Sequence, residues 1–398
     1  MTLVGVLGLL LGLLAGTFAF VRRTRMNITM FALCYLMHIV ASVLYFRLVE
    51  AGGGDARFYF EDPLDMYGDG FGFNTSFIIY LVQLPKAYLG GTMLDYFLVF
   101  QAIGFWGIAL LMRIFEEIHL EAGAKHRSYA YLILFLPSLH YWTAAIGKDG
   151  LYFFAICLAI FASMRFRSRI ALLVLAMAIM VMIRSYVAVI SLAAFVVTVL
   201  VDRKMHVALR VLLFTVGLAG TGYAVADLWT TFRFDVTDVD AISGMLASRD
   251  TSSLDAAVAG NSAVGGSYPL RILSLLFRPF FLDSPGALGL VVSLENVLQM
   301  MATLWFFFHF RTSWLVMRGV HFARYAMVSS IGITLGLAIG YYNVGLGIRQ
   351  EATMILPGFL VSFVAVLTVV GARRSKGSGA IGREEPGGPL HPTIRRPG

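Results

Sequence analysis

The segment Ile170–Val201, "IALLVLAMAIMVMIRSYVAVISLAAFVVTVLV", contains one charged residue, Arg184, within 32 residues. A run of about 20 apolar residues is enough to cross a bilayer as a helix. The basic stretches "RFRSR" and "DRK" lie close to its two ends. We therefore predict two short membrane helices, 170–183 and 186–201, that turn at Arg184.

The composition of the whole chain agrees with a helical membrane protein. Hydrophobic residues make up 59% and charged residues 14% of the 398 residues, which is too little polar composition to cover a water-soluble surface. The net charge of +8 does not indicate nucleic acid, because the basic residues lie between apolar runs and no nucleic-acid motif is present. Cys34 and Cys157 both lie inside apolar runs, and neither a metal site nor a cofactor is predicted.

Similar apolar runs recur along the chain, each long enough, or nearly so, to cross a hydrocarbon core of about 30 Å. We predict an all-α polytopic bundle of about eleven transmembrane helices in residues 1–371, with exoplasmic re-entrant or interfacial helices. Residues 372–398 are predicted to form a disordered cytoplasmic tail. The predicted spans are 2–21, 27–49, 93–113, 129–145, 149–164, 170–183, 186–201, 206–226, 286–310, 325–342 and 352–371.

The basic residues predict the orientation of this bundle. Most of the 31 Lys and Arg residues fall in alternate connections such as "VRRTR", "RFRSR" and "DRKMHVALR". Because positively charged connections stay inside, the N-terminus is predicted outside and the C-terminus inside. The outer side then receives most acidic residues and the two long connections, 50–92 and 227–285, and long ordered connections commonly carry function.

The pair Lys148 and Asp149, in "PSLHYWTAAIGKDGL", falls at the outer end of two predicted helices. In a structural interpretation, Asp149 caps the following helix and Lys148 extends to the lipid headgroups. In a functional interpretation, Lys148 binds a lipid phosphate while Asp149 orients that phosphate or an acceptor hydroxyl. The sequence leaves both interpretations open.

Two further arginines, Arg184 and Arg349, are predicted on the same outer side as Lys148. Arg184 lies between two helices that are short for a full crossing, so it is expected below the headgroups and in need of an anionic partner. Arg349 precedes the last span, and Glu351 is expected to pair with it. The alternative for Arg184 is that it only ends two short helices.

The segment "SYPLRILSLLFRPFF" adds Arg271 and Arg278, which lie seven residues apart. On a helix this spacing places both arginines on one face, and Pro279 is expected to end the helix. Apolar residues between the arginines predict an amphipathic helix at the membrane interface. Such a helix is either a simple anchor to the bilayer or, with the other outer cations, part of a phosphate or pyrophosphate site.

Three other titratable residues are candidates. Asp55, in "GGGDARFYF", follows the second span and is a candidate base or acceptor-binding group, although a loop carboxylate is commonly just solvated. Glu295 lies inside a predicted span, where a carboxyl group needs a partner or a polar cavity. His140 is a candidate base, and the favoured alternative is a satisfied interfacial histidine.

Five segments resemble bacterial multi-pass proteins of cell-surface polysaccharide synthesis, namely O-antigen-polymerase-like proteins and polyprenyl-phosphate-sugar-dependent glycosyltransferases of the C-type fold. The similar segments, between about residue 50 and residue 362, are "GGGDARFYF", "PSLHYWTAAIGKDGL", "IRSYVAV", "LRILSLLFRPF" with "SLENVL", and "GLGIRQEATMILPGFL". The resemblance implies the bacterial cytoplasmic (inner) membrane and a polyprenyl-(pyro)phosphate donor. Its implied ligands are Asp55, Lys148, Arg184, Arg278 and Arg349.

The leading hypothesis is therefore glycosyl transfer or polymerisation on a polyprenyl-linked saccharide at the exoplasmic face. Arg271 joins the implied phosphate ligands, and Asp55 or, second, Asp149 would receive the acceptor proton. One alternative is a transporter or flippase of lipid-linked saccharides. Another is a non-catalytic membrane subunit of a polysaccharide-assembly complex. Expected partners are the polyprenyl-linked sugar, membrane lipids and other polysaccharide-assembly proteins.

Overall fold

A computed structural model describes residues 2–20, 28–52, 54–61, 71–122, 129–202, 267–283, 286–341 and 343–381, with a few single residues between 207 and 222. These residues confirm an all-helical fold, 88% helix without strands. The structure does not describe most of the predicted span 206–226, most of the connection 227–285 or the last residues of the tail, 382–398.

The helices are numbered here in chain order. They are α1 (Leu3–Phe20), α2 (Ile28–Glu50), α3 (Ala56–Glu61), α4 (Thr75–Leu89), α5 (Met93–Glu121), α6 (Tyr129–Leu132), α7 (Pro137–Thr143), α8 (Lys148–Met164), α9 (Ile170–Val201), α10 (Tyr268–Phe277), α11 (Gly286–Phe308), α12 (Phe310–Gly319), α13 (His321–Gly340), α14 (Val344–Gln350) and α15 (Leu356–Ile381). A 3₁₀ turn, Ile133–Phe135, follows α6, and a π-helical segment, Glu351–Ile355, joins α14 to α15.

The predicted count of about eleven spans is not confirmed. Among the described residues, six helical stretches are long and apolar enough to cross a membrane, or seven if the bent pair α7 and α8 is one span. The axes of α7 and α8 differ by 116°, and the predicted span 129–145 is broken at Leu136. Leu136 is extended because it precedes Pro137, and a residue before proline avoids the helical conformation.

The predicted break at Arg184 is confirmed, and there α9 reverses its direction. Arg184 has non-helical dihedrals (φ −158°, ψ 96°), and its carbonyl accepts a hydrogen bond of 2.9 Å from the hydroxyl of Tyr152, in the first turns of α8. Phe166, beyond the other end of α8, contacts Phe195 with ring centroids 5.9 Å apart. A straight α9 would place Phe195 about 37 Å from its own start. By length α9 is one candidate span, but these contacts divide it into two antiparallel halves.

Glycines allow α5, α7 and α8 to approach closely. A Cβ atom at Gly104 would lie 2.0 Å from the carbonyl oxygen of Thr143, and one at Gly150 would lie 2.7 Å from the same atom. Backbone atoms cannot yield as a flexible side chain can. The glycines therefore fix the turn 144–147, which leads into Lys148 and Asp149, against α5, the most buried of the six candidate spans.

The expectation that Arg271 and Arg278 share one helical face is wrong. Helix α10 ends at Phe277, and Arg278 is extended (φ −94°, ψ 149°). The ring of the following Pro279 disfavours the helical conformation at Arg278. Arg271 is buried on α10, whereas Arg278 lies 2.5 Å from a carboxylate oxygen of Asp283.

Charged residues gather at the two ends of the bundle. The Arg349 end contains the start of α8, the reversal of α9 and helix α14. The Glu117 end contains the end of α5, the end of α8 and the start of α9. Helices α5 and α8 run in parallel between these ends, since Gly107 of α5 packs against Phe153 of α8 while Glu117 binds Arg169, beyond the end of α8.

Candidate functional site

Arg349 joins three segments that are far apart in the chain. Its Nη1 atom lies 3.1 Å from Oδ2 of Asp55, which precedes α3, and its Nε donates to Oδ2 of Asp149 in the first turn of α8. Helix α14 holds Arg349 in place, because the side chain of Asn343 caps its start by accepting from the amides of Gly345 and Leu346. The last turn of α14 therefore points a guanidinium group at two carboxylates.

Lys148 and Arg184 lie beside this arginine. The ammonium group of Lys148 donates to the hydroxyl of Thr75 at 2.9 Å, and it lies close enough to Arg184, Asp149, Arg349 and Asp55 for their charges to act on it. Within the described part of the chain, Lys148 makes no ion pair. These five charged residues form the Arg349 cluster: Asp55, Lys148, Asp149, Arg184 and Arg349.

Arg184 is held at the reversal of α9. Its Nη1 donates to the hydroxyl of Tyr186 at 3.2 Å, and its guanidinium lies 5.9 Å from the ring centre of Tyr152. The amide of Asn74 donates to the carbonyl of Met182 at 2.8 Å, so the start of α4 is tied to the same turn. No carboxylate among the described residues forms an ion pair with Arg184, so the anionic partner predicted from the sequence is not found among them.

The charge balance of the Arg349 cluster favours an anion. Three cations face two carboxylates, and Arg349 alone contacts both. Asp149 is 7% exposed and Asp55 is 60% exposed, so the two carboxylates differ strongly in their access to solvent. A group of cations with one charge in excess and with donors to spare is suited to a phosphate.

The turn before α8 brings backbone close to the cluster. Gly147 has a φ of 157°, and a Cβ atom there would lie 3.7 Å from the ring of Tyr59 and 3.9 Å from Nη2 of Arg349. Tyr59 is buried on α3, and this burial, together with the nearby Asp55, raises its pKa to about 12. Its hydroxyl is therefore neutral near pH 7 and keeps its proton.

The geometry contradicts the structural interpretation of Asp149 as a helix cap. The cap position of α8 is Gly147, and no side-chain cap hydrogen bond is made there. The carboxylate of Asp149 instead accepts from Arg349, 200 residues further along the chain. The expected pairing of Arg349 with Glu351 is also wrong, because Arg349 binds the two aspartates and Glu351 lines a separate cavity.

The other predicted residues lie apart from these contacts. Arg271 and Arg278 belong to α10 and its end, a segment held to Tyr341 through the carbonyl of Ser274. His140 is fully buried in the core, where Nε2 lies 2.7 Å from the carbonyl oxygen of Leu134. These contacts favour a structural role for His140 over the role of a base.

Glu295 is also buried, and one of its oxygens accepts from the amide of Ser138 at 2.9 Å. In the part of the chain that the structure describes, no group of three His, Cys, Asp or Glu side chains is arranged to hold a metal ion.

Sequence reasoning missed Thr75, Tyr152 and Tyr186 as neighbours of the cluster. Thr75 starts α4, 73 residues before the lysine that it binds, and no local pattern indicates that contact. Tyr186 follows Arg184 by two residues, yet the spacing alone does not indicate the hydrogen bond between their side chains.

Comparisons with protein-family models, with curated proteins and with solved structures give no match for this chain.

Proposed function

We propose that the protein transfers or polymerises sugars from a polyprenyl-(pyro)phosphate carrier at the exoplasmic face of a bacterial inner membrane. The observation that carries this proposal is the Arg349 cluster, in which five candidates chosen from four separate stretches of sequence lie together. Apolar helices long enough for a membrane provide the setting that a polyprenyl chain needs.

In this proposal the cations stabilise the leaving group. An acceptor hydroxyl attacks the anomeric carbon of the donor sugar, the bond from that carbon to the phosphate oxygen breaks, and the (pyro)phosphate leaves with the bonding electrons. Lys148 and Arg184, which make no ion pair with the described residues, neutralise the negative charge that develops. Their positions are fixed by Thr75 and Tyr186, so little reorganisation is needed.

The two aspartates have different roles. Asp55 is the more exposed carboxylate and takes the proton of the acceptor hydroxyl as a general base. Asp149 is buried and bound to Arg349, so it is a positioning residue that holds this guanidinium toward the donor. Removing Arg349 would leave the buried carboxylate of Asp149 without its ion-pair partner.

The test measures binding of a polyprenyl phosphate to the full chain in detergent micelles, with the uncharged polyprenol of equal length as a reference. We expect the phosphate to bind more tightly, and Arg184→Ala to weaken it by about 10- to 100-fold, as for the loss of one hydrogen bond to a charged group. Thermal unfolding of each variant checks that it is folded.

The matched control is Arg57→Ala, which removes an arginine that is 51% exposed and paired with Glu61 near Asp55. It should leave binding unchanged. Equal binding of polyprenol and polyprenyl phosphate would contradict the proposal, as would equal losses in Arg184→Ala and Arg57→Ala.

A further inference from the structure

A cavity of about 440 Å³ lies between α7, α11 and α15, away from the contacts of the Arg349 cluster. Its walls are mostly apolar and include Leu136, Trp305 and Phe359. Two carboxyl groups, Glu295 of α11 and Glu351 of the π-helical segment, also line it. Carboxyl groups in such surroundings are costly unless a partner compensates them.

Neither carboxyl group is fully satisfied by the residues that the structure describes. Glu295 is 8% exposed and Glu351 is 6% exposed. Oε1 of Glu295 accepts from the amide of Ser138 at 2.9 Å, but its Oε2 is buried without a hydrogen-bond partner. Oε1 of Glu351 is likewise buried without a partner. Each group thus has an unpartnered oxygen, and both groups line the same cavity.

The charge of Glu295 acts on Glu351. The polar neighbour of Glu351 is the amide of Gln299, and that of Glu295 is Ser138. Charged groups on the adjacent elements are engaged elsewhere: Arg349 binds two aspartates and His140 contacts Leu134 and His38. Two ionised carboxylates that line one apolar cavity repel each other, and no cation among the described residues forms an ion pair with either, so a cation bound from outside would relieve the repulsion.

The backbone at Glu351 is unusual as well. Glu351 begins a π-helical segment of five residues, Glu351–Ile355. Such segments inside α-helices are rare and frequently lie at functional sites. Glu351 follows Arg349 by two residues, so one short stretch of chain supplies both the Arg349 cluster and this cavity.

We propose that Glu295 and Glu351 form a binding site for a monovalent cation, either a proton or an alkali metal ion. The unpartnered oxygens are its ligands, and one bound cation leaves a single negative charge shared by the pair. Asn296 and Gln299 also line the cavity, and their amide nitrogens donate to the carbonyls of Pro279 and Leu276, so both side chains are held at its wall. This site does not depend on the proposed sugar transfer, and it would equally suit an ion-coupled transporter of lipid-linked saccharides.

The test uses dicyclohexylcarbodiimide, an apolar reagent that modifies protonated carboxyl groups, on the full chain in detergent micelles. Peptide mass spectrometry reads the modified fraction at Glu295 and Glu351 from about pH 6 to about pH 9, with choline chloride or sodium chloride at equal ionic strength. A proton site predicts modification that falls at least about tenfold with rising pH and ignores sodium. An alkali-ion site predicts that sodium suppresses modification at constant pH.

Two variants distinguish modification at a shared cation site from the general reactivity of carboxyl groups with the reagent. In Glu351→Gln the pH or sodium dependence at Glu295 should change, because the shared cation has lost one ligand. Glu61→Gln removes a carboxylate that is 60% exposed and should leave both modified fractions unchanged. No modification of either residue in folded protein would overturn the site, as would modification that ignores pH and sodium, or an unchanged Glu295 in Glu351→Gln.

Discussion

The two ends of the bundle treat their charges differently. At the Glu117 end, one carboxylate that is 3% exposed lies within 4 Å of three arginines, Arg113, Arg165 and Arg169, the closest at 2.8 Å. At the Arg349 end, one arginine contacts two carboxylates, while Lys148 and Arg184 contact no carboxylate among the described residues. A buried carboxylate paired with arginines is costly to break, whereas unpaired cations held in place are suited to a ligand.

The Glu117 end also connects three elements. Arg169 donates to both carboxylate oxygens of Glu117, at 2.8 and 3.1 Å, and to the carbonyl of Phe161. Its guanidinium also lies 3.8 Å from the ring centre of Phe161. These contacts join the end of α5 to the end of α8 and the start of α9. The charged contacts at the Arg349 end are less enclosed, because the side chain of Asp55 is 60% exposed to solvent.

The largest expected effect follows from removing Glu117. In Glu117→Ala, Arg113 and Arg169 lose their carboxylate while Arg113 remains buried, which costs about 3–5 kcal/mol of stability. Unfolding of the purified protein by heat and denaturant in detergent measures this loss. Asp55→Ala is the matched change at the other end and should cost less than about 1 kcal/mol, because its carboxylate is exposed. Similar losses of stability in Glu117→Ala and Asp55→Ala would contradict the difference between the two ends.

The second effect concerns chemistry at the Arg349 end. Asp55→Asn keeps the shape of the side chain but removes the proposed base, so we expect turnover to fall by about 10²- to 10⁴-fold. Binding of polyprenyl phosphate should not weaken, because the change removes a negative charge that repels the phosphate and pairs with Arg349. Sugar transfer with a lipid-linked donor and the binding assay measure the two effects. A loss of binding without a loss of turnover would contradict the role of Asp55 as a general base.

The smallest effect distinguishes charge from geometry at Lys148. Lys148→Arg keeps the positive charge, so part of the phosphate affinity should survive, with a loss of only a few-fold, about 1 kcal/mol. Lys148→Ala should lose about 10-fold or more because the charge is gone. The same binding assay measures both variants. Full affinity in Lys148→Ala would remove Lys148 from the site and leave its contact with Thr75 as a structural one.

Local patterns in the sequence are enough to predict several parts of the fold. Long apolar runs give helices because backbone groups in an apolar environment must satisfy each other. A single arginine among apolar residues marked the reversal of α9, and a proline marked the end of α10. The same reasoning failed for the face shared by Arg271 and Arg278, where the helical spacing was applied across a residue that precedes Pro279.

The pairing of charges could not be predicted in the same way. Glu351 is the carboxyl group nearest to Arg349 in sequence and was the expected partner, yet the actual partners lie 200 and 294 residues away. Sequence spacing ranks local partners first, while packing of α3, α8 and α14 places Asp55 and Asp149 at the guanidinium. The cavity of Glu295 and Glu351 could not be predicted from the sequence either, because residues of α7, α11 and α15 line it together.

The sequence by itself determined the helical character, the apolar surface suited to a membrane and the candidate charged residues. These properties follow from composition and from periodicity within one helix, which act over a few residues. Tertiary structure alone decided which charges meet. Close approach of α5, α7 and α8 at Gly104 and Gly150 positions the turn before Lys148, and that approach depends on the shape of every helix involved. Charge pairing is a property of the packed bundle, because Coulomb attraction acts through space rather than along the chain.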